Sequence, residues 1–213
     1  MFAAPRVQRH WLAALAAIAW ASVALQFYSS LSRDFAFVSL LGRIIDVLSY
    51  FTITSNILLA MVATVGAQRG SDGKPLASPG ALTATAVYIF VVAVTYAALL
   101  KSRAHLVGWP AVWADFGLHE VTPALYLGYW ALFVNKAKLR WVQPLVWLIY
   151  PAAYIAFTFA RGALIHHYPY FFADVDALGY PRALLNAVLF LAGFWLLGLL
   201  AVALGRIKRP GRT

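Results

Sequence analysis

The chain is predicted to be all-α: a polytopic membrane protein built as a six-helix bundle with short loops. Two observations point there. Of 213 residues, 63% are hydrophobic and only 11% charged, with a mean hydropathy of +0.76, too apolar for an ordinary soluble domain. Apolar runs also recur at close to the ~20 residues that a bilayer crossing needs. The net charge of +10 does not indicate nucleic acid, because Lys and Arg lie in short segments between apolar runs and not along one polar face. With no cysteine, disulfides, thiolate chemistry and Cys-ligated metals are excluded.

The runs cover residues 11–31, 44–65, 83–100, 116–134, 142–160 and 183–204, and residues 1–213 are read as a single membrane domain. The first has features of a signal peptide, with Arg6 and Arg9 ahead of it and Ala19-Trp20-Ala21 resembling a cleavage site. It continues through Phe27 and Tyr28 to full spanning length, so it is expected to stay as a span.

The second run holds Tyr50-Phe51-Thr52-Ile53-Thr54-Ser55-Asn56 where a membrane helix normally carries hydrocarbon. Polar groups at that depth are costly and usually face a bundle interior. On one continuous helix turning about 100° per residue, Thr52, Ser55 and Asn56 share a face that Asp46 and Ser49 extend, while Thr54 points away. The fourth run opens on Asp115-Phe116-Gly117-Leu118-His119-Glu120-Val121-Thr122-Pro123, a second polar stretch. In the fifth, Tyr150, Tyr154, Thr158 and Arg161 make a polar stripe that reads chiefly as an interhelical bonding face.

Between the runs, residues 68–80 read as a Gly, Ser and Pro turn, and residues 135–141 as a basic hairpin near anionic lipid. Residues 161–182 hold His166, His167, Tyr168, Pro169, Tyr170, Phe171, Phe172, Asp174 and Asp176, a density of aromatics suited to the membrane interface. Counting alternate segments places eleven of the seventeen Lys and Arg residues on the side of both termini. Both termini are therefore expected to be cytoplasmic. The acids gather on the opposite side, where Asp72 is missing but Asp34, Asp46, Asp115, Glu120, Asp174 and Asp176 lie, which suggests a polar site opening outward.

Thr52 is expected two turns inside the second helix and His119 in the first turn of the fourth, at comparable depth. A threonine hydroxyl becomes a useful nucleophile when a base within hydrogen-bond reach takes its proton, and histidine is the usual base. A Thr52–His119 pair can therefore cleave an ester, with Asp115 one turn before His119 orienting the imidazole. Asn56 is a candidate donor to the oxyanion, with Ser55, Tyr154 and Arg161 as supporting polar groups. His105, His119, His166 and His167 show neither H-x-x-E-H nor H-E-x-x-H spacing, so no metal and no cofactor are expected.

At these residues the sequence resembles the androgen-induced protein and androgen-dependent TFPI-regulating protein family of six-span membrane proteins, and most closely its bacterial "Pr-six-Pr" branch. The resemblance rests on Tyr50-Phe51-Thr52 with Ser55-Asn56, on His119 with Pro123 and the aromatic run to Trp130, and on Arg161-Gly162 with Tyr168-Pro169-Tyr170-Phe171. It implies a threonine hydrolase of fatty acyl esters in a bacterial cell membrane, with Thr52 and His119 as its catalytic pair. After the threonine the chain departs from the animal members, where Ser55-Asn56 stands.

The expected protein is thus a lipid-ester hydrolase whose substrate enters from the bilayer. Its outer-half cavity would be lined by the second, fourth and fifth runs and roofed by residues 168–176, with membrane lipids as its surroundings and no nucleic-acid partner. The alternative is a non-enzymatic binder or transporter of a small amphiphile using the same cavity. Catalysis requires Thr52 and His119 within reach of each other, whereas binding tolerates separation.

Overall fold

The computed structural model describes residues 5–32, 39–68 and 76–206. Every regular element among them is helical. The chain forms two compact units, Met1–Val134 and Asn135–Thr213.

The first unit is organised around α1 (Pro5–Leu31), which packs against α3 (Phe51–Ala67), α5 (Gly108–Phe116) and α6 (Thr122–Phe133). Leu12, Leu15, Ala16, Ala19 and Val23 form its buried stripe, at spacings of three and four that keep one face of a helix inward. Ala60 and Ala63 of α3 are buried as well, and side chains this small let helix backbones approach closely. A Cβ on Gly66 of α3 would lie 2.9 Å from Leu12 Cδ1.

The second apolar run, expected as one helix, is two. Between Thr52 and its predecessors the chain bends, so that α2 (Leu40–Leu48) and α3 meet at 78°. The cause is local. Ser49 Oγ donates to Asp46 O at 2.6 Å and its N–H to the same carbonyl at 3.0 Å, the kind of side-chain bonding by which serine competes with helix continuation. Tyr50 is then extended, with φ −86° and ψ 127°. Thr52 consequently stands in the first turn of α3, and the stripe expected to run on through Asp46 and Ser49 is broken. Arg43 of α2 donates through Nη2 to Ser30 O at 3.2 Å and to Leu31 O, tying α2 to the last carbonyls of α1.

Ser78 Oγ caps α4 (Pro79–Thr95) by accepting from Ala81 N at 3.1 Å, with Pro79 at the first helical position. The helix continues through a π-turn, Tyr96–Leu100, and a 3-10 turn, Lys101–Arg103. A second π-turn, Gly117–Val121, joins α5 to α6. The fourth helix therefore begins at Gly108, and His119 lies about three turns inside it instead of in its first turn.

Four helices among the described residues are long and apolar enough to cross a membrane: Arg6–Leu31, Pro79–Arg103, Gln143–Ile165 and Tyr180–Leu204. The bent pair Leu40–Leu48 and Phe51–Ala67 makes a fifth if it acts as one span. The expected count of six is not reached, because residues 108–133 have the length but carry Asp115, His119, Glu120 and Pro123.

In the second unit, α7 (Gln143–Trp147), α8 (Ile149–Ile165) and α10 (Tyr180–Leu204) pack on one another. A Cβ on Gly198 of α10 would stand 2.9 Å from Pro144 Cβ. Helix α8 ends at His166, whose φ of 51° is left-handed. The aromatic segment after it is folded onto α10. Phe172 stacks on Tyr170 and on Phe190, with centroids 5.1 and 4.8 Å apart, and its carbonyl accepts from Asn186 Nδ2 at 2.8 Å. The short α9 (Val175–Leu178) follows, and His166 Nδ1 lies 3.0 Å from Asp176 Oδ2. Several charges used for orientation, including Arg33, Asp34, Arg69, Asp72, Lys74, Lys208, Arg209 and Arg212, lie outside the described residues, as does most of the turn at 68–80.

Candidate active site

A proline builds this site. In a regular α-helix the carbonyl of Leu118 takes the N–H of Thr122. Here the Thr122 N–H reaches back to Gly117 O. The next donor in the π pattern would come from residue 123, and Pro123 has none. The Leu118 carbonyl is filled from another helix: Asn56 Nδ2 donates to it at 3.2 Å and to Thr52 O at 2.9 Å. Asn56 is fully buried. Its amide thus clips the first turn of α3 to the π-turn that carries His119.

The clip sets a chain of contacts. His119 Nε2 lies 3.3 Å from Thr52 Oγ1. On the other edge of the ring, Nδ1 lies 3.1 Å from Asp115 Oδ1 and 3.1 Å from Asp115 O. Both of these partners are acceptors only, so the proton of a neutral ring sits on Nδ1 and the Nε2 lone pair faces the threonine hydroxyl. Asp115 Oδ2 in turn accepts from Tyr96 OH at 2.5 Å, and the Tyr96 ring stacks on the imidazole with centroids 3.7 Å apart and planes inclined by 14°. The His119 and Asp115 side chains are 12% and 15% exposed, so little water competes for these bonds.

Packing from beneath fixes the two turns. Val23 of α1, Val47 of α2, Ile53 of α3 and Leu118 form a buried cluster, with Phe27, Tyr50 and Ile57 against it. Gly117 permits the close approach of α1, since a Cβ there would collide with Oγ and Cβ of Ser22. At the outer edge, Lys101 Nζ and Glu120 Oε1 pair at 2.7 Å. Both side chains are well exposed, so this pair contributes little to stability.

Thr52, Asp115, His119 and Asn56 are therefore brought together. Asn56 does not do the job expected of it: both amide hydrogens are committed to carbonyls, so it braces the site and is not an oxyanion donor. Its Oδ1 is buried without a hydrogen-bond partner. Ser55 is buried in the same turn of α3. Thr54 bonds back to Phe51 O at 3.3 Å and to Tyr50 O at 3.5 Å within its own helix. Tyr154 and Arg161 lie on α8 of the second unit, where Arg161 Nη1 donates to His167 O at 3.5 Å. Tyr96 was not anticipated. A tyrosine near the end of an apolar run reads as an interfacial aromatic, and only the fold shows that it faces Asp115. Among the described residues no group of three or more His, Asp or Glu side chains is placed to hold a metal ion.

The arrangement can activate a hydroxyl and stabilise the imidazolium that results. Compared with protein-family models, with curated proteins and with solved structures, the chain matches none.

Proposed function

We propose that the protein is an integral membrane hydrolase that cleaves a fatty acyl ester, with Thr52 as nucleophile and His119 as general base and then acid. The observation that carries this reading is the 3.3 Å contact between His119 Nε2 and Thr52 Oγ1, with Nδ1 held by Asp115. A nucleophile, a base in reach and a third group orienting the base are the parts acyl transfer needs.

In the first half-reaction, Thr52 Oγ1 attacks the ester carbonyl while Nε2 takes its proton. The tetrahedral oxyanion collapses, His119 returns the proton to the departing alkoxide, and an acyl-threonine remains. In the second, His119 takes a proton from water, whose oxygen attacks the acyl carbon. The second tetrahedral intermediate collapses, His119 returns its proton to the departing Thr52 Oγ1, and the fatty acid leaves with the threonine hydroxyl and neutral imidazole restored. Thr52 sits in the first turn of α3, where the positive end of the helix dipole favours the developing negative charge.

Residues 108–133 serve on this reading as a further span, with their polar side chains turned toward Thr52, Asn56 and Tyr96, and the bent pair as another. That restores six spans with both termini cytoplasmic, and it agrees with the sequence resemblance to the bacterial six-span branch. A lipid substrate reaches the site from the bilayer without need of a soluble domain.

Labelling of purified protein with a long-chain fluorophosphonate tests the proposal. Labelling should be lost with Thr52→Ala and with His119→Ala and kept with Thr54→Ala. Failure of wild type to label, or equal labelling of all three variants, removes the catalytic assignment and leaves the amphiphile binder in its place.

A further inference from the structure

The mechanism gives Tyr96 no task, yet it makes two contacts at the dyad. Its hydroxyl donates to Asp115 Oδ2 at 2.5 Å while the other carboxylate oxygen lies 3.1 Å from His119 Nδ1. Its ring lies almost parallel to the imidazole, 14° off, with centroids 3.7 Å apart. We infer that Tyr96 is a positioning residue for His119, acting through Asp115: the hydroxyl fixes the carboxylate and the ring fixes the plane of the imidazole. The effect on rate rests on the hydrolase reading. The effect on the histidine ring does not.

The physical case runs through torsions. The last torsion of an aspartate is broad and two-fold, so a carboxylate held at one oxygen alone can turn and break its bond to Nδ1. A donor on the second oxygen closes that freedom, and a bond to an ionised acceptor is roughly twice as strong as a neutral one. Rotation of the imidazole about its own ring torsion would drive its edge into the face of Tyr96. With Asp115 only 15% exposed, water is a poor replacement for the lost hydroxyl.

The Lys101–Glu120 pair ties the same two stretches of chain together 2.7 Å apart, but with side chains 58% and 43% exposed. It is a control in place: Lys101→Ala removes a tie between the helices and a more distant charge while leaving both hydrogen bonds of the carboxylate and the ring contact intact.

The experiment uses the full chain, labelled with 15N-histidine, in detergent micelles. His119 signals are assigned by their loss in His119→Ala. Wild type should show one Nδ1–H tautomer. Tyr96→Phe, which keeps the ring and deletes the hydroxyl, should give mixed or exchange-broadened signals, while Lys101→Ala should match wild type. In ester hydrolysis, Tyr96→Phe should lower kcat by about 5- to 20-fold with KM unchanged. In an Asp115→Asn background the same change should cost less than about twofold, because residues acting as one unit are non-additive.

Wild-type tautomer signals and kcat in Tyr96→Phe overturn the inference, as does an equal loss in both backgrounds. The two proposals separate cleanly. If wild type turns over no ester but Tyr96→Phe still loosens the His119 ring, the hydrolase reading fails and the positioning stands. If turnover needs Thr52 but ignores Tyr96→Phe, the reverse holds.

Discussion

Replacing Asn56 by leucine should separate activity from stability. Leucine has the branched outline of asparagine but is larger and fully apolar. The change removes the bond to the Leu118 carbonyl, which has no donor of its own in the π pattern because residue 123 is proline. A buried carbonyl left unpaired costs about 1–3 kcal/mol. The bond to Thr52 O is less serious, since that carbonyl lies inside α3 and the backbone N–H of residue 56 is its ordinary helical partner. Against these losses, the substitution removes the buried and unpartnered Oδ1 of Asn56, a relief of the same size, about 1–3 kcal/mol. Its larger side chain must, however, be fitted into a fully buried position. The two polar terms nearly cancel, so thermal stability should fall by about 1–3 kcal/mol, the cost of fitting the larger side chain.

Activity has no such compensation. With the clip gone, the turn carrying His119 is free to drift from Thr52, and a displacement of about 1 Å at a reacting pair costs roughly 100-fold in rate. The assay is fluorophosphonate labelling rate alongside a thermal melt in the same detergent. Rate retained within threefold would refute the reasoning, because the brace would then not be what holds the dyad. A melt lowered in proportion to the rate would refute it too, by reducing the effect to unfolding.

Three further outcomes follow from the same geometry. Pro123→Ala restores an N–H to the helix, so the π-turn should relax toward regular helix; melts should show equal or higher stability while the labelling rate falls at least about tenfold, the register of His119 having moved by one residue. Gly117→Ala sets a Cβ against Ser22 and should destabilise by about 1–3 kcal/mol, with much of the loss recovered in a Ser22→Gly background. Glu120→Gln breaks an exposed pair and should leave the melt and labelling rate close to wild type at moderate salt.

The long apolar helices were legible because hydrocarbon length and composition act additively along a chain. Residues 83–100 and 183–204 correspond to helices at Pro79–Thr95 with its π-turn extension and Tyr180–Leu204. The bend at Ser49 and Tyr50 was not legible. Serine is compatible with a continuing membrane helix, and only its bond to Asp46 O shows that α2 stops there. Helical phase placed Thr52 and Asn56 on one face and Thr54 away from it; both statements survive the bend because all three residues lie within α3. The role expected of Asn56 failed for a reason outside its own helix: the carbonyl that claims its amide is orphaned by Pro123, 67 residues further along the chain.

That last dependence also bears on how residues 108–133 accommodate Asp115, His119 and Glu120. Four polar groups in residues 108–133 are answered by a group from a neighbouring element: Asp115 by Tyr96, His119 by Thr52, Glu120 by Lys101 and the Leu118 carbonyl by Asn56, while the buried Thr122 hydroxyl is left without a partner. Burial of a lone polar group is costly, but burial of one that is already bonded is not. The π-turns supply the extra residue that aims these groups at their partners, at the expense of regular helix bonding, a compromise expected where geometry for chemistry outranks stability. A chain selected only to fill a bilayer has no use for that compromise. One that must hold a hydroxyl 3.3 Å from an oriented imidazole does.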